Sequence, residues 1–484
     1  MQSCNAQHSY LRTEVYETSS EGNHLKKLNN SDFKNESDNN AKITLNPEKT
    51  FQKILGFGGA FTESSAYLYS KLGQKNKEKV IDAYFGQNGA NYSLTRTVIA
   101  STDFALGHYS YASDPEDLEL KKFSIAHDFQ YLIPMIHDAQ KISKDNFKII
   151  ASPWTAPPFM KDNNSWIDGK LLPKYNKTWA LFFEKYIEEY RKNNINIWGL
   201  TVENEPNGNG GNWESMNFTP KEMTDFVQNY LGPQLENSPF KNVKILGYDQ
   251  NRKDLLNWTK EMYRDKESSK YFAGAAIHWY DSTYDYFPEV LDKAHADNPD
   301  KLIIQTEACD DADVPHWRDD AWYWSKEATD WGFDWAPQKD KYLHPKYVPV
   351  YRYARDIIGC LNHSVNGWID WNMILNKQGG PNWFKNWCVA PVIVDEVKDE
   401  VYFTPIYYVM AQFSKFIRPD AVRIDFKSDN KDLMTTAVKN PNGDLVVVVF
   451  NPSEEIQKGK IVLGYRSTNY QISKKAIQTI IIKK

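Results

Sequence analysis

Residues 201–207 read Thr-Val-Glu-Asn-Glu-Pro-Asn, two glutamates around one asparagine, directly after the apolar run Ile-Trp-Gly-Leu and ahead of a proline. A third glutamate, Glu307, closes a second apolar run, Lys-Leu-Ile-Ile-Gln-Thr-Glu. Two carboxylates brought face to face can cleave a glycosidic bond. One protonates the leaving oxygen while the other attacks the anomeric carbon or activates a water, and their separation selects retention or inversion. Glu205, nearest the end of its run, is the candidate general acid/base, with Glu307 as its partner. Glu203, two residues earlier, should point to the same side and orient a neighbour such as Arg96 or His278. Pro206 cannot donate to a strand ladder and biases Glu205 toward an extended conformation.

Elements of the right kind precede both acids. Strand-length apolar segments recur in alternation with longer amphipathic ones: KILGFGGAF, YSLTRTVIA, FKIIASPW, IWGLTVENE, VKILGYD, AGAAIHWY, KLIIQTEA and GWIDWNMIL. Between them, WALFFEKYIEEYRK places Trp179, Phe182, Phe183, Tyr186, Ile187 and Tyr190 at helical spacing, a core-facing stripe. Eight apolar strands alternating with helices predict a closed (β/α)8 barrel, a TIM barrel of the α/β class. An open doubly wound sheet is the alternative. Its nucleotide fingerprint is missing, because GFGGAF has no third glycine in place and NGNGG does not open a helix. After Tyr402, runs such as LMTTAVKN, GDLVVVVFN, KGKIVLGY and KAIQTIIIKK read as an appended all-β sandwich. The predicted division is a polar tether over 1–40, one or two strands over 41–55 joining the sandwich, the barrel over 56–400 and the sandwich over 401–484.

Barrel chemistry sits at the C-terminal strand ends, and here those ends are polar and aromatic. They carry Arg96 and, slightly beyond it, Asp103; Trp154; Glu203, Asn204 and Glu205; His278 and Tyr280; Glu307; and Trp371. A lone glutamate at a strand end is ordinarily a cap. A pair on strands four and seven, ringed by aromatics that stack on sugar faces, points instead to a carbohydrate site.

The formal net charge is −5 with acids and bases interspersed, so nucleic acid is not an expected partner. No apolar run reaches the length of a membrane span. Four cysteines without CxxC spacing argue against a zinc site or a disulfide scaffold and read as buried thiols. Ser3-Cys4 before an Asn-rich stretch resembles the cleavage and lipidation point of a bacterial lipoprotein. The corresponding expectation is an exported protein, periplasmic, secreted or at the cell surface, with a trimmed signal and a possible lipid anchor at Cys4.

Several ordered motifs carry a family resemblance: KILGFGGAFTESSA, LTRTVIASTDF, ASPWTAPPFMK, WGLTVENEPN, AIHWY, QTEAC, WIDWNMILNKQGGPNWFKNW, APVIVD and FSKFI. From Ala41 onward the chain resembles glycoside hydrolase family 30. The resemblance implies a barrel with a β-sandwich built from both chain ends, and retaining hydrolysis of β-glycosides without metal or cofactor. It implies that Glu205 is the acid/base, Glu307 the nucleophile and Asn204 a contact to the sugar 2-hydroxyl. It further implies glycone contacts at Asp103, Trp154, Trp371 and Asn386, places His278 and Tyr280 near the nucleophile and sets Arg96 beneath it. Residues 310–345 do not follow glucosylceramidase-like members. Their Trp317, Trp322, Trp324, Trp331 and Trp335 are expected to roof the leaving-group side, with one or two stacking on a further glucose. That reading favours β-1,6-linked glucan, or β-1,6 glucose branches, over glucosylceramide or another small β-glucoside, with xylan behind them. A barrel that only binds carbohydrate is the alternative of a different class.

Overall fold

The computed structural model describes residues 12–28, 34–35, 41–311, 314–326 and 336–484. Cys4, Trp331 and Trp335 lie outside the described residues. The predicted strands close a parallel barrel in sequence order. They are β1 (Gly56–Phe61), β2 (Leu94–Ile99), β3 (Lys148–Pro153), β4 (Gly199–Thr201), β5 (Lys244–Asn251), β6 (Phe272–His278), β7 (Leu302–Glu307) and β8 (Gly367–Asp370). Gly58 of β1 is needed for closure, since a Cβ there would meet the Leu94 carbonyl oxygen at 1.9 Å. The helix Asn176–Lys192 buries its aromatic stripe as predicted. No helix among the described residues is long and apolar enough to cross a membrane.

The barrel interior is layered. Leu94, Ile150, Leu246, Ala276, Ile304 and Ile369 form an apolar floor. Two residues further along their strands toward the mouth stand Arg96, Ser152, His278, Thr306 and Trp371, as the strand period of two requires. Two irregularities break that period. On β5, Tyr248 and Asp249 have φ of 72° and 64°, beside a shift of register against β6. On β7, Ile277 pairs with Gln305 but His278 with Glu307, so Thr306 is an extra residue. Such bulges re-aim side chains, and here they turn Asp249 and Glu307 toward the polar layer.

The second sheet has ten strands hydrogen-bonded in one order. Ile461 and Ile472 share a core with Ile480 and Ile482 from strands distant in that order, so the sheet curls into two layers. The strand Lys42–Lys53 lies within it, antiparallel to Val422–Ser428 and parallel to Gln457–Leu463.

Two predicted boundaries move. Residues 12–28 are not a tether, because Arg12–Ser19 pairs along its whole length with Ala476–Lys483 and Lys26–Leu28 adds a further strand. Polarity concealed this strand. Its buried face holds Glu17, whose Oε1 accepts from Asn23 at 2.8 Å and Ser473 Oγ at 2.8 Å, and whose Oε2 accepts from Gln478 at 3.1 Å. The barrel also continues past residue 400, since the helix Pro405–Ser414 packs Phe413 against Phe57 of β1, ring centroids 6.2 Å apart. The same helix grips the sheet, with Gln412 donating to Thr18 Oγ1 at 2.9 Å and accepting at its carbonyl from Thr479 at 2.7 Å. Deleting residues 1–28 should therefore lower Tm by roughly 5 °C or more and promote aggregation through the uncovered edge. A thermal melt and light scattering read this, and an unchanged Tm would refute it.

Candidate active site

A cavity of about 390 Å³ opens at the C-terminal strand ends. Asp103, Trp154, Asn204, Glu205, Tyr280, Glu307, Trp371 and Asn386 all line it, while His278 is fully buried behind them. One carboxylate oxygen of Glu205, one of Glu307 and a ring nitrogen of His278 lie within 4.8 Å of one another.

Glu205 reaches this place by a turn, not by an extended strand. Its φ is +49°, in the left-handed region, contrary to the extended conformation expected from Pro206. Regular β4 ends at Thr201, and backbone bonds from Asn204 to the Pro153 carbonyl (2.8 Å) and from Glu205 to the Asp249 carbonyl (3.0 Å) hold the turn. The expected role of Glu203 falls with the strand geometry. Glu203 is fully buried, and among the described residues its carboxylate makes no hydrogen bond, to Arg96, to His278 or to any other group. Burial pushes its carboxyl well above the usual range, while the charge of Lys161 pulls the other way.

The orienting carboxylate is Asp249, which sequence reasoning missed. Its Oδ2 accepts from Arg96 at 2.6 Å and Thr201 at 2.7 Å, and its Oδ1 from Thr306 at 2.6 Å with His278 Nε2 at 3.0 Å. Arg96 also donates to Ser152 Oγ (3.0 Å), Asn204 Oδ1 (2.9 Å) and Glu307 Oε2 (2.5 Å). Burial would raise the Asp249 pKa, but Arg96 and His278 hold it far below the ordinary carboxylate range. Burial would likewise lower that of His278, yet Glu307 and Asp249 lift it to about 9. Glu307 is raised by burial and by the nearby Glu205 charge, against the pull of His278 and Arg96. Its Oε1 accepts from Tyr280 OH at 3.1 Å, and His278 Nδ1 lies 3.3 Å from Glu205 Oε1. The only sequence signal for Asp249 was an acid at the end of VKILGYD.

Two tryptophans line the cavity beside Arg96. Trp154 and Trp371 stack with centroids 5.1 Å apart, and the Arg96 guanidinium lies over both. Asp103 Oδ2 accepts weakly from Asn382 (3.4 Å) and Asn386 (3.5 Å), and burial with the Glu307 charge pushes its carboxyl up.

The described part of the Trp-rich segment does not roof the cavity. Trp317 meets Tyr402, Trp322 stacks on His316 and Trp324 is buried against Tyr351; none of the three lines the site. The rim is supplied instead by the Gly-rich loop after β4, through Asn209, Asn212 and Trp213. That loop was visible in the sequence as NGNGG but was weighed only against nucleotide binding.

Asp249→Asn tests the network. A raised His278 pKa gives stability that is full below pH 6.5 and lost as pH rises through 9. The variant should melt lower at neutral pH, show a flatter decline of Tm between those limits, and lose about 100-fold in turnover from misplaced acids. Parallel melts from pH 5 to 10 measure this, and an unchanged slope would separate His278 from Asp249.

Comparison with known proteins bears on the same architecture. The model of the glycosyl hydrolase family 30 TIM-barrel domain matches residues 54–417, and that of the family 30 beta sandwich domain matches residues 420–480. The lysosomal acid glucosylceramidase of Mus musculus is 35% identical over 424 residues, 85% of this chain and 78% of that protein. The endo-1,6-beta-D-glucanase of Neurospora crassa is 26% identical over 429 residues, 85% of this chain and 81% of that protein. A solved endo-beta1,6-glucanase superimposes with a TM-score of 0.83 at 26% identity, covering 98% of this chain and 99% of its own. With both domains matched in order over nearly the whole chain, the protein belongs to glycoside hydrolase family 30.

Proposed function

We propose that the protein is a retaining hydrolase that releases glucose from β-1,6-linked glucan or from β-1,6 glucose branches, with Glu307 as nucleophile and Glu205 as acid/base. The observation that carries the retaining reading is the approach of one oxygen of Glu205 and one of Glu307 to within 4.8 Å, too close to leave a water between the two groups along that line. Retaining enzymes set these groups about 5–5.5 Å apart, whereas inverting ones leave room for a water at about 6.5–9.5 Å.

The reaction is then a double displacement. Glu307, steadied by Arg96 and Tyr280, attacks the anomeric carbon as Glu205 gives its proton to the departing oxygen. Glu205 next removes a proton from water, which attacks the glycosyl ester and frees Glu307. Positive charge on Arg96 and His278 favours the anionic nucleophile against the burial that would protonate it. The stacked Trp154 and Trp371 offer a face to the glycone, with Asp103 and Asn386 within reach of its hydroxyls.

The choice of aglycone rests on the rim. Asn209, Asn212, Trp213, Gln250 and Asn251 all line the cavity. Such a lining suits the hydroxyls and C–H faces of a second sugar better than alkyl chains. Glucosylceramide is the second reading, favoured by the 35% identity to the mouse glucosylceramidase.

Glu307→Ala should lose at least about 1,000-fold in kcat and regain turnover with azide, giving a product of inverted configuration. Full activity in that variant would sink the assignment. Glu205→Gln should suffer far more on natural glycosides than on aryl glycosides with good leaving groups, and equal losses would argue against an acid role. Incubation with β-1,6-glucan, a β-1,6-branched β-1,3-glucan and glucosylceramide in parallel, with products resolved by size, decides the substrate. Sugar products from the glucans support the first reading; turnover of the lipid alone replaces it with the second, and turnover of none overturns both.

A further inference from the structure

Cys309 and Cys388 come from distant parts of the chain and meet in the wall of the active-site cavity, which both line. The Cys309 thiol donates to Cys388 Sγ at 3.2 Å. The segments carrying them are already paired antiparallel, Asp310 with Val389 and Asp311 with Cys388. Each cysteine follows a residue of the site by two positions, Glu307 in one case and Asn386 in the other. Cys309 Sγ also lies 3.6 Å from Tyr280 OH, the hydroxyl that donates to Glu307. By contrast, Cys360 sits elsewhere, its thiol donating to Asp356 at 3.4 Å.

We infer that Cys309 and Cys388 are an oxidisable dithiol site, which hydroperoxides convert to a disulfide that restrains turnover. The link to turnover rests on the roles proposed for Glu307 and Asn386; the modification itself does not. One sulfur attacks the peroxide O–O bond, becoming a sulfenic acid and, with hydrogen peroxide, releasing one water. The second thiol then displaces the sulfenic oxygen, which leaves as another water. Two thiols have lost two protons and two electrons, and the peroxide has taken them up. Both thiols are buried, about 1% exposed, so an oxidant reaches them only through the cavity they line and must be as small as hydrogen peroxide; the neighbouring thiol captures the sulfenic acid before further oxidation.

Closure has a geometric effect. A disulfide holds its sulfurs about 2.05 Å apart, so the pair must draw together by about 1 Å. The segments it links carry the proposed nucleophile and a glycone contact, and displacements of that order in such sites cost about 10- to 100-fold in rate. The cross-link should also raise thermal stability, because it joins positions far apart in the chain.

The test treats the purified full-length protein with hydrogen peroxide and maps its peptides without reduction. The expected result is a Cys309–Cys388 linked peptide with a mass loss of about 2 Da. With it should come a fall in turnover of an aryl β-glucoside of about 10-fold or more, a higher Tm, and recovery of activity with dithiothreitol. Cys388→Ser should show neither the linked peptide nor the rise in Tm after the same treatment. Should that variant fail to fold, the linked peptide and its reversal in the unaltered protein still decide the matter. Absence of the linked peptide overturns the site, and a linked peptide with unchanged turnover overturns its effect on catalysis. The peptide is read whether or not glucan proves to be the substrate, so failure here is distinct from failure of the proposed function.

Discussion

One buried carboxylate holds the polar half of the barrel together. Asp249 faces two cationic side chains, Arg96 and His278, inside a protein where an unpaired charge would be strongly unfavourable. Remove its charge and both partners lose a buried counter-ion, leaving Arg96 to Glu307, Asn204 and Ser152 and His278 to Glu205. Arg96 then loses the anchor that aims it at Glu307 and at Asn204, and His278 loses the contact that fixes its ring beside Glu205. Hydrogen bonds from Thr201 and Thr306 complete the carboxylate, so β4 and β7, which deliver the two glutamates, are tied to the same group. Buried polar groups tolerated at such density are fully connected ones.

The barrel makes room for this charge by separating two layers along each strand. Its apolar floor supplies packing, and the layer above supplies most of the electrostatics. The bulges on β5 and β7 let acids enter the upper layer without displacing the floor residues beneath them. Backbone conformations that an extended strand would not adopt, at Tyr248, Asp249 and Glu205, cluster at this level. Unfavourable local geometry of this kind persists where surrounding structure over-determines it, as the paired strands do here.

Much of this was legible in the chain. The strands announced themselves by apolar runs of the right length, and Glu205 and Glu307 by their position at the ends of two of them. Strand alternation, however, is a rule for regular strands, and it fails at a bulge. It therefore assigned the orienting role to Glu203 and passed over Asp249, whose inward direction depends on a register shift that no local pattern reveals. Composition failed in a similar way at Arg12–Ser19, whose buried face is polar because Glu17 finds its partners across the sheet. The Trp-rich segment shows the converse: so many aromatics invited a binding role, and the described ones are spent on packing. The meeting of Cys309 with Cys388 is a fact of tertiary structure alone.

The pairing of Arg12–Ser19 with Ala476–Lys483, and the grip of the helix Pro405–Ser414 on both, carry a consequence for biogenesis. The strand Arg12–Ser19 must wait for this partner until the far more distant Ala476–Lys483 has been made. Barrel strands can associate with their neighbours as they emerge, but the seam between the two domains must await the strand Ala476–Lys483. Contacts of such long sequence separation are slow to form and leave sheet edges open meanwhile. Until the two strands pair, the edge of the apolar strand Ala476–Lys483 that Arg12–Ser19 covers stays open to other chains.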